Sequence, residues 1–141
     1  MTAIKRLTLG LATTVLLATG MVASAPPSLA APNTIGGGCH NSFNGEVGAC
    51  ISQSGADVLA DTWINTAYSG CWVDLKLYEY DTSPNFILNE AGYDCSNGGH
   101  KGPIGINVNI PMYRQYGRFY SVATLNDGSS ATSYLLCLFT C

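Results

Sequence analysis

The segment from Cys71 to Cys95 most strongly constrains the fold, because one strand register satisfies three separate requirements. The turn-forming sequence over 81–85 predicts a hairpin between two strands of alternating polarity. If the hairpin is symmetric about that turn, Cys71 faces Cys95, apolar side chains meet on the same side, and Lys76 faces Glu90 on the other. A slip of one residue would break the disulfide, the apolar face and the ion pair together.

Further runs of alternating or apolar residues, bounded by turn formers, predict more short strands. With the hairpin, the predicted strands cover residues 47–53, 58–64, 72–80, 86–95, 104–110, 116–125 and 133–141. About seven short strands at this spacing are typical of an all-β domain, and we expect an antiparallel β-sandwich of the immunoglobulin-like type. We place this domain at 47–141, after a Gly-rich leader over 31–46 whose first residues, 32–38, are expected to fray.

The first 30 residues have the pattern of a cleaved secretory signal peptide. Lys5 and Arg6 precede an apolar run over 7–23, and small residues at 28 and 30 suit cleavage before Ala31. A retained membrane anchor is the alternative, but this run falls short of the roughly 20 apolar residues that a spanning helix needs. We therefore expect a secreted, extracellular protein with no membrane span after cleavage.

Six cysteines in a small secreted domain predict three disulfides, which can be paired in fifteen ways. The hairpin register favours Cys71–Cys95. An extended strand over 133–141 would hold Cys137 and Cys141 about 13 Å apart, too far for a disulfide between them. The other two pairs are then expected to be nested, as Cys39–Cys141 and Cys50–Cys137.

Charge and motif content exclude several partners. Removal of Lys5 and Arg6 would leave four Lys and Arg against nine Asp and Glu, a net charge of −5. A domain this acidic binds phosphate poorly, so neither nucleic acid nor an anionic membrane is expected as a partner. Since the chain has no C-x-x-C or H-E-x-x-H spacing, we expect neither a metal site nor a cofactor.

Two groups of residues are candidates for a binding surface. Tyr and Arg are enriched at interface hot spots, and Trp, Tyr and Phe side chains exposed on a strand can stack on flat ligands such as sugar rings. The first group is Tyr113, Arg114, Tyr116 and Arg118, and the second is Trp72, Tyr78 and Tyr80, with Phe86 opposite Tyr80. The alternative for each is structural: the aromatic residues pack as strand residues beneath a neighbour, and the arginines only increase solubility.

Catalytic signals are sparse. There is no G-x-S-x-G nucleophile motif, and the one candidate base is His100, with Asp94 nearby in sequence. His100 lies in a Gly-rich stretch over 96–102, which favours a solvated loop histidine with no catalytic part.

The residues 49–52, the sequence Cys71-Trp72-Val73, Cys95, and the sequence over 99–103 together resemble small secreted actinobacterial proteins of unassigned activity. The resemblance implies bacterial secretion and a β-sandwich, and it brings no catalytic residues; Cys39 and Cys141 are additions to its pattern. We expect a non-catalytic binding protein for an extracellular protein or polysaccharide. The alternatives are an inhibitor of a secreted protease or glycosidase, using residues 113–118, and a small hydrolase using His100.

Overall fold

The computed structural model describes residues 35–80, 85–109, 117–138 and 141. Within them all regular structure is β-strand. The strands, in chain order, are β1 (Ile35–Gly36), β2 (Gly38–Asn41), β3 (Val47–Ser54), β4 (Asp57–Ile64), β5 (Trp72–Glu79), β6 (Phe86–Asp94), β7 (Gly99–Asn107), β8 (Arg118–Leu125), β9 (Ser130–Thr132) and β10 (Leu136–Cys137). No helix that could cross a membrane occurs in this part of the chain.

The strands form two antiparallel sheets. The larger sheet has the order β1-β10-β8-β5-β6, with β9 also paired to β8, and the smaller sheet has the order β2-β3-β4-β7. Alternation places one side chain of every two on the inner face of its sheet, as the burial of Val73, Leu75 and Leu77 along β5 shows. The inner residues of both sheets form one hydrophobic cluster, which includes Phe119 and Ile51.

A buried hydrogen bond joins the two sheets through this core. Ser121 on β8 is fully buried, and its hydroxyl donates to the backbone carbonyl of Cys50 on β3 at 2.8 Å. Buried polar groups need such partners because an unpaired one would cost about 1–3 kcal/mol. The hydroxyl therefore fixes the position of one sheet relative to the other.

The predicted hairpin register is confirmed over most of its length. Val73 pairs with Tyr93 and Lys76 with Glu90, whose side chains lie 3.8 Å apart as an ion pair. The register then shifts by one residue after Leu77, so that Glu79, and not Tyr80, lies opposite Phe86. A β-bulge of this kind leaves one residue unpaired, and the symmetric hairpin did not anticipate it.

The structure contains three disulfides, and two of the predicted pairings are wrong. Cys71–Cys95 is confirmed, but the other pairs are Cys39–Cys50 and Cys137–Cys141 in place of Cys39–Cys141 and Cys50–Cys137. Among the described residues of the segment predicted as a strand over 133–141, only Leu136 and Cys137 are in a strand, so the extended spacing assumed between Cys137 and Cys141 does not apply. The two Cα atoms then lie 5.5 Å apart, well within disulfide reach.

Two other local predictions differ from the structure. Residues 35–41 were assigned to a leader, but β1 pairs with β10 and β2 pairs with β3, which brings Cys39 directly opposite Cys50. His100 was expected in a loop, yet it lies on β7, where it pairs with Trp63. In both places Gly residues interrupt the alternating pattern but do not prevent pairing to a neighbouring strand.

Candidate ligand-binding face

The outer face of the larger sheet carries an exposed row of aromatic side chains, which we call the aromatic face. It consists of Trp72 and Tyr78 from β5, Tyr80 directly after that strand, and Tyr120 from β8. Trp72 and Tyr80 are 48% and 44% exposed. The alternative that these aromatic residues pack beneath a neighbouring strand is therefore not seen among the described residues. Tyr120 was absent from the sequence prediction, because its position opposite Tyr78 depends on the pairing of two strands distant in sequence.

Trp72 lies over the sheet because its diagonal neighbour on β6, Gly92, has no side chain. A Cβ atom at Gly92 would lie only 2.6 Å from Cζ2 of the Trp72 ring, so the indole occupies the space above this glycine. The indole N–H donates to the Asp74 carboxylate at 3.1 Å. One edge of the ring is thereby fixed, and its outer surface remains open to solvent.

The three tyrosines form a second aromatic group farther along the sheet. Tyr78 stacks on Tyr120 with ring centroids 5.0 Å apart, and Tyr80 meets Tyr120 edge-on at 6.2 Å. Burial, and next the neighbouring Tyr78, raise the pKa of the Tyr120 phenol. Tyr120 therefore stays neutral beyond the usual titration range of a tyrosine and acts as a hydrogen-bonding group.

The strip between the two aromatic groups is polar. A depression of about 440 Å³ in this strip is lined by Asp74, Lys76, Glu90 and Gly92 among others. A second depression of about 300 Å³ lies beside the tyrosines and is more apolar, with Tyr80, Tyr120 and Leu135 in its lining. The Trp72 ring lies over Gly92, which is paired with Asp74 on β5, and Tyr78 lies four residues after Asp74 on that strand. The two aromatic groups are thus about 13 Å apart at the usual rise of a strand.

Of the first predicted binding group, in the segment 113–118, the structure describes only Arg118. Tyr113, Arg114 and Tyr116 lie outside the described residues. Arg118 begins β8 and is half-buried, and its backbone carbonyl accepts a hydrogen bond from the Tyr80 amide at 2.9 Å. Arg118 therefore adjoins the aromatic face, and the contact loop over 113–118 remains a prediction.

The candidate base His100 has a carboxylate partner, but not the one suggested by the sequence. His100 Nε2 lies 3.0 Å from Asp61 Oδ2, and its ring lies against Trp63 with centroids 5.0 Å apart. Asp94 instead accepts a hydrogen bond from the Ser96 amide at 2.8 Å, which lowers the pKa of its carboxyl group. His100, Asp61 and Trp63 lie on the outer face of the smaller sheet, away from the aromatic face.

Comparisons with other proteins leave the site to be interpreted from its own geometry. Neither family models, nor curated proteins, nor solved structures match this chain.

The two outer faces differ in what they can do chemically. The aromatic face offers stacking surfaces, donors and acceptors in an open strip, which suits binding without a reaction. The His100–Asp61 pair could position a proton, because the carboxylate holds one ring nitrogen and leaves the other available. Within the described residues, however, no side-chain hydroxyl is hydrogen-bonded to His100, so this pair has no attached nucleophile.

Proposed function

We propose that this protein is a secreted, non-catalytic binding protein that holds a neutral polysaccharide on its aromatic face. The observation that carries the proposal is the spacing of two aromatic groups, Trp72 and the three tyrosines, on either side of a polar strip. The two sheets, packed around one core, support a β-sandwich of the immunoglobulin-like type as the scaffold.

A sugar chain matches the chemistry of this face. The broad faces of sugar rings are apolar and stack on aromatic rings, while their hydroxyl groups need hydrogen-bonding partners at the rim. Trp72 and the tyrosine group, with Tyr80 as its most exposed ring, supply the stacking surfaces, and Asp74, Lys76 and Glu90 supply donors and acceptors between them. A separation of about 13 Å along the strand suits a short stretch of oligosaccharide that contacts both groups.

The charge and openness of the face favour a neutral polymer over other ligands. Lys76 and Glu90 form an ion pair and so offset each other, which leaves the Asp74 carboxylate near the stacking surfaces. A polyanion would gain little there, and the chain as a whole has a net charge of −3. Since both depressions lie open along the sheet, a chain can continue past them in either direction.

Secretion belongs to the same proposal. The first 30 residues have the pattern of a signal peptide, and the three disulfides are consistent with an oxidising extracellular environment. An insoluble or high-molecular-weight polysaccharide is a ligand that such a protein would meet outside the cell.

A quantitative depletion assay tests the proposed ligand. The mature protein is incubated with cellulose, chitin, xylan and a soluble mixed-linkage glucan, and free protein is measured at each polysaccharide concentration. We expect binding to at least one of them, and a loss of about 30-fold in Trp72→Ala or Tyr120→Ala, because a hot-spot truncation costs at least 2 kcal/mol. Absence of binding to the whole panel would contradict the proposal.

Trp63 provides a matched control for nonspecific adsorption. It is 50% exposed, close to the 48% of Trp72, but it lies on the outer face of the other sheet. Trp63→Ala should bind the polysaccharide as tightly as the unchanged protein does. If this variant loses as much affinity as Trp72→Ala, the aromatic face is not the binding site.

A second candidate function is hydrolysis, because His100 and Asp61 are at hydrogen-bonding distance. In this reading Asp61 orients the imidazole and His100 acts as a general base toward water or a substrate hydroxyl. Release of sugar or of nitrophenol from chromogenic esters and glycosides would be measured for the unchanged protein and for His100→Ala. Turnover that disappears in this variant would support the hydrolase, and equal rates in both would exclude it.

A further inference from the structure

Two cysteines and one aspartate converge on the outer face of the smaller sheet. Cys39 on β2 lies opposite Cys50 on β3, and Cys50 lies opposite Asp61 on β4. Both sulfur atoms and one carboxylate oxygen lie within 4.8 Å of one another. We call these three residues, with His100 bound to Asp61, the disulfide–carboxylate cluster.

The carboxylate of this cluster has an unused coordination position. Asp61 Oδ2 is 3.0 Å from His100 Nε2, whereas Oδ1 is shielded from solvent and accepts no hydrogen bond from any described residue. A buried carboxylate oxygen without a partner is costly, and a cation is one of the few groups that would satisfy it. The Cys39–Cys50 disulfide beside it is neutral and cannot do so.

We propose that reduction of the Cys39–Cys50 disulfide converts this cluster into a zinc site. Cys39 Sγ, Cys50 Sγ and an Asp61 oxygen supply three ligands, a water supplies the fourth, and His100 holds Asp61 in place from outside the ligand set. Thiolates and carboxylates are typical zinc ligands, and a ligating carboxylate is commonly held in place by an outer hydrogen-bond partner such as His100. The proposal concerns the face opposite the polysaccharide surface and does not depend on it.

The reduction itself needs a dithiol, because the disulfide persists in the oxidising environment proposed above. A thiolate of the dithiol attacks Sγ of Cys39, which is exposed; the Cys39–Cys50 bond breaks, and Cys50 leaves as a thiolate. The second thiol of the reductant then resolves the mixed disulfide. The dithiol is oxidised to its cyclic disulfide as the two cysteines are reduced, with two electrons and two protons transferred.

Electrostatics then favours a divalent cation. Two thiolates beside the Asp61 carboxylate would place three negative charges within 4.8 Å, and their repulsion would keep the thiols protonated. Zn²⁺ displaces those protons and offsets two of the three charges. Zinc–sulfur bonds of about 2.3 Å and zinc–oxygen bonds of about 2.1 Å require only a modest separation of the two sulfur atoms.

The remaining disulfides provide an internal comparison. Among the described residues, neither Cys71–Cys95 nor Cys137–Cys141 belongs to a group of three such ligand atoms. If metal binding reflected nothing more than free thiols, reduction of these pairs would produce it equally well.

Cobalt(II) serves as a spectroscopic probe of the reduced protein. The full mature chain is reduced with dithiothreitol, freed of it under anaerobic conditions, and titrated with Co²⁺ and then with Zn²⁺, while circular dichroism monitors the fold. We expect a thiolate-to-cobalt absorption band that saturates at one equivalent and disappears when Zn²⁺ is added. The oxidised protein should show no band.

Variants distinguish a built site from nonspecific thiol binding. Cys39→Ser with Cys50→Ser should abolish the band, and Cys137→Ser with Cys141→Ser should retain it. Asp61→Asn, which preserves the side-chain shape, should weaken binding at least 100-fold, and His100→Ala should weaken it about 10–100-fold, as loss of an outer-shell partner does. A band of equal affinity in Asp61→Asn, or no band in the reduced protein, would overturn the proposal.

Discussion

Removal of the Cys71–Cys95 disulfide should destabilise the protein more than removal of either other disulfide. The bond joins residues 24 positions apart, against separations of 11 for Cys39–Cys50 and 4 for Cys137–Cys141. In the chain-entropy model, closing such loops stabilises the fold by about 3.5, about 3 and about 2 kcal/mol, respectively, because longer loops lose more freedom in the unfolded chain. For a domain of roughly 110 residues, about 3.5 kcal/mol corresponds to a fall of roughly 15 °C in Tm.

Three paired alanine variants test this ranking by scanning calorimetry and by urea unfolding without reductant. We expect the largest loss of stability in Cys71→Ala with Cys95→Ala and the smallest in Cys137→Ala with Cys141→Ala. Because Cys71, Cys95 and Cys137 are all buried, the cavity left by the lost sulfur affects both of these variants. A loss in the Cys137 variant equal to that in the Cys71 variant would refute the loop-length explanation.

Four further substitutions test the packing and the electrostatics. Ser121→Ala should lower the free energy of unfolding by about 1–3 kcal/mol in urea unfolding, because the Cys50 carbonyl loses its buried donor from the other sheet. Leu77→Ala should cost about 2–5 kcal/mol in the same assay, since Leu77 is fully buried, whereas Lys76→Ala removes only an exposed ion pair and should cost less than about 1 kcal/mol. Asp94 accepts a backbone N–H that lowers the pKa of its carboxyl group below 3.8, so its contribution to stability is present above that pH and is lost as the pH falls further. Thermal unfolding followed from pH 6 down to about pH 2 should therefore show a smaller acid-induced loss for Asp94→Asn than for the unchanged protein.

The hairpin was predictable because its constraints are local. The turn-forming sequence over 81–85 and the opposite charges of Lys76 and Glu90 predict one register, and the structure has that register as far as Leu77. The shift that follows breaks the alternation assumed for a symmetric hairpin, and no local pattern in the sequence marks its position.

The disulfide pairings failed for a related reason. The prediction assumes an extended chain from 133 to 141, but within the described part of that segment the only strand is Leu136–Cys137. It also treated the Gly-rich segment before Cys39 as frayed, so it could not anticipate that β2 pairs with β3 and sets Cys39 opposite Cys50. A strand of only four residues, which begins with a glycine, has too weak an alternating pattern to be recognised from sequence.

For each candidate surface, the sequence identifies the side chains that one strand contributes. Trp72, Tyr78 and Tyr80 follow from the alternation of one strand, as does the outward position of Asp61 on another. Their partners, Tyr120 and His100, come from strands that pair with these only in the folded sheets. Alternation therefore identifies which side chains share a face of one strand, and it leaves open which strand supplies the rest of the site.

The glycine beneath Trp72 has a consequence for the thermodynamics of the proposed polysaccharide binding. With the indole lying on Gly92 and its N–H bonded to Asp74, the ring is held in its receptive orientation before any ligand arrives. Immobilising a large side chain on association typically costs about 0.5–1.5 kcal/mol, and that cost has here been met during folding. Adding a methyl group at position 92 would lift the ring and restore its rotation, so affinity would fall through entropy even with every contacting residue still present.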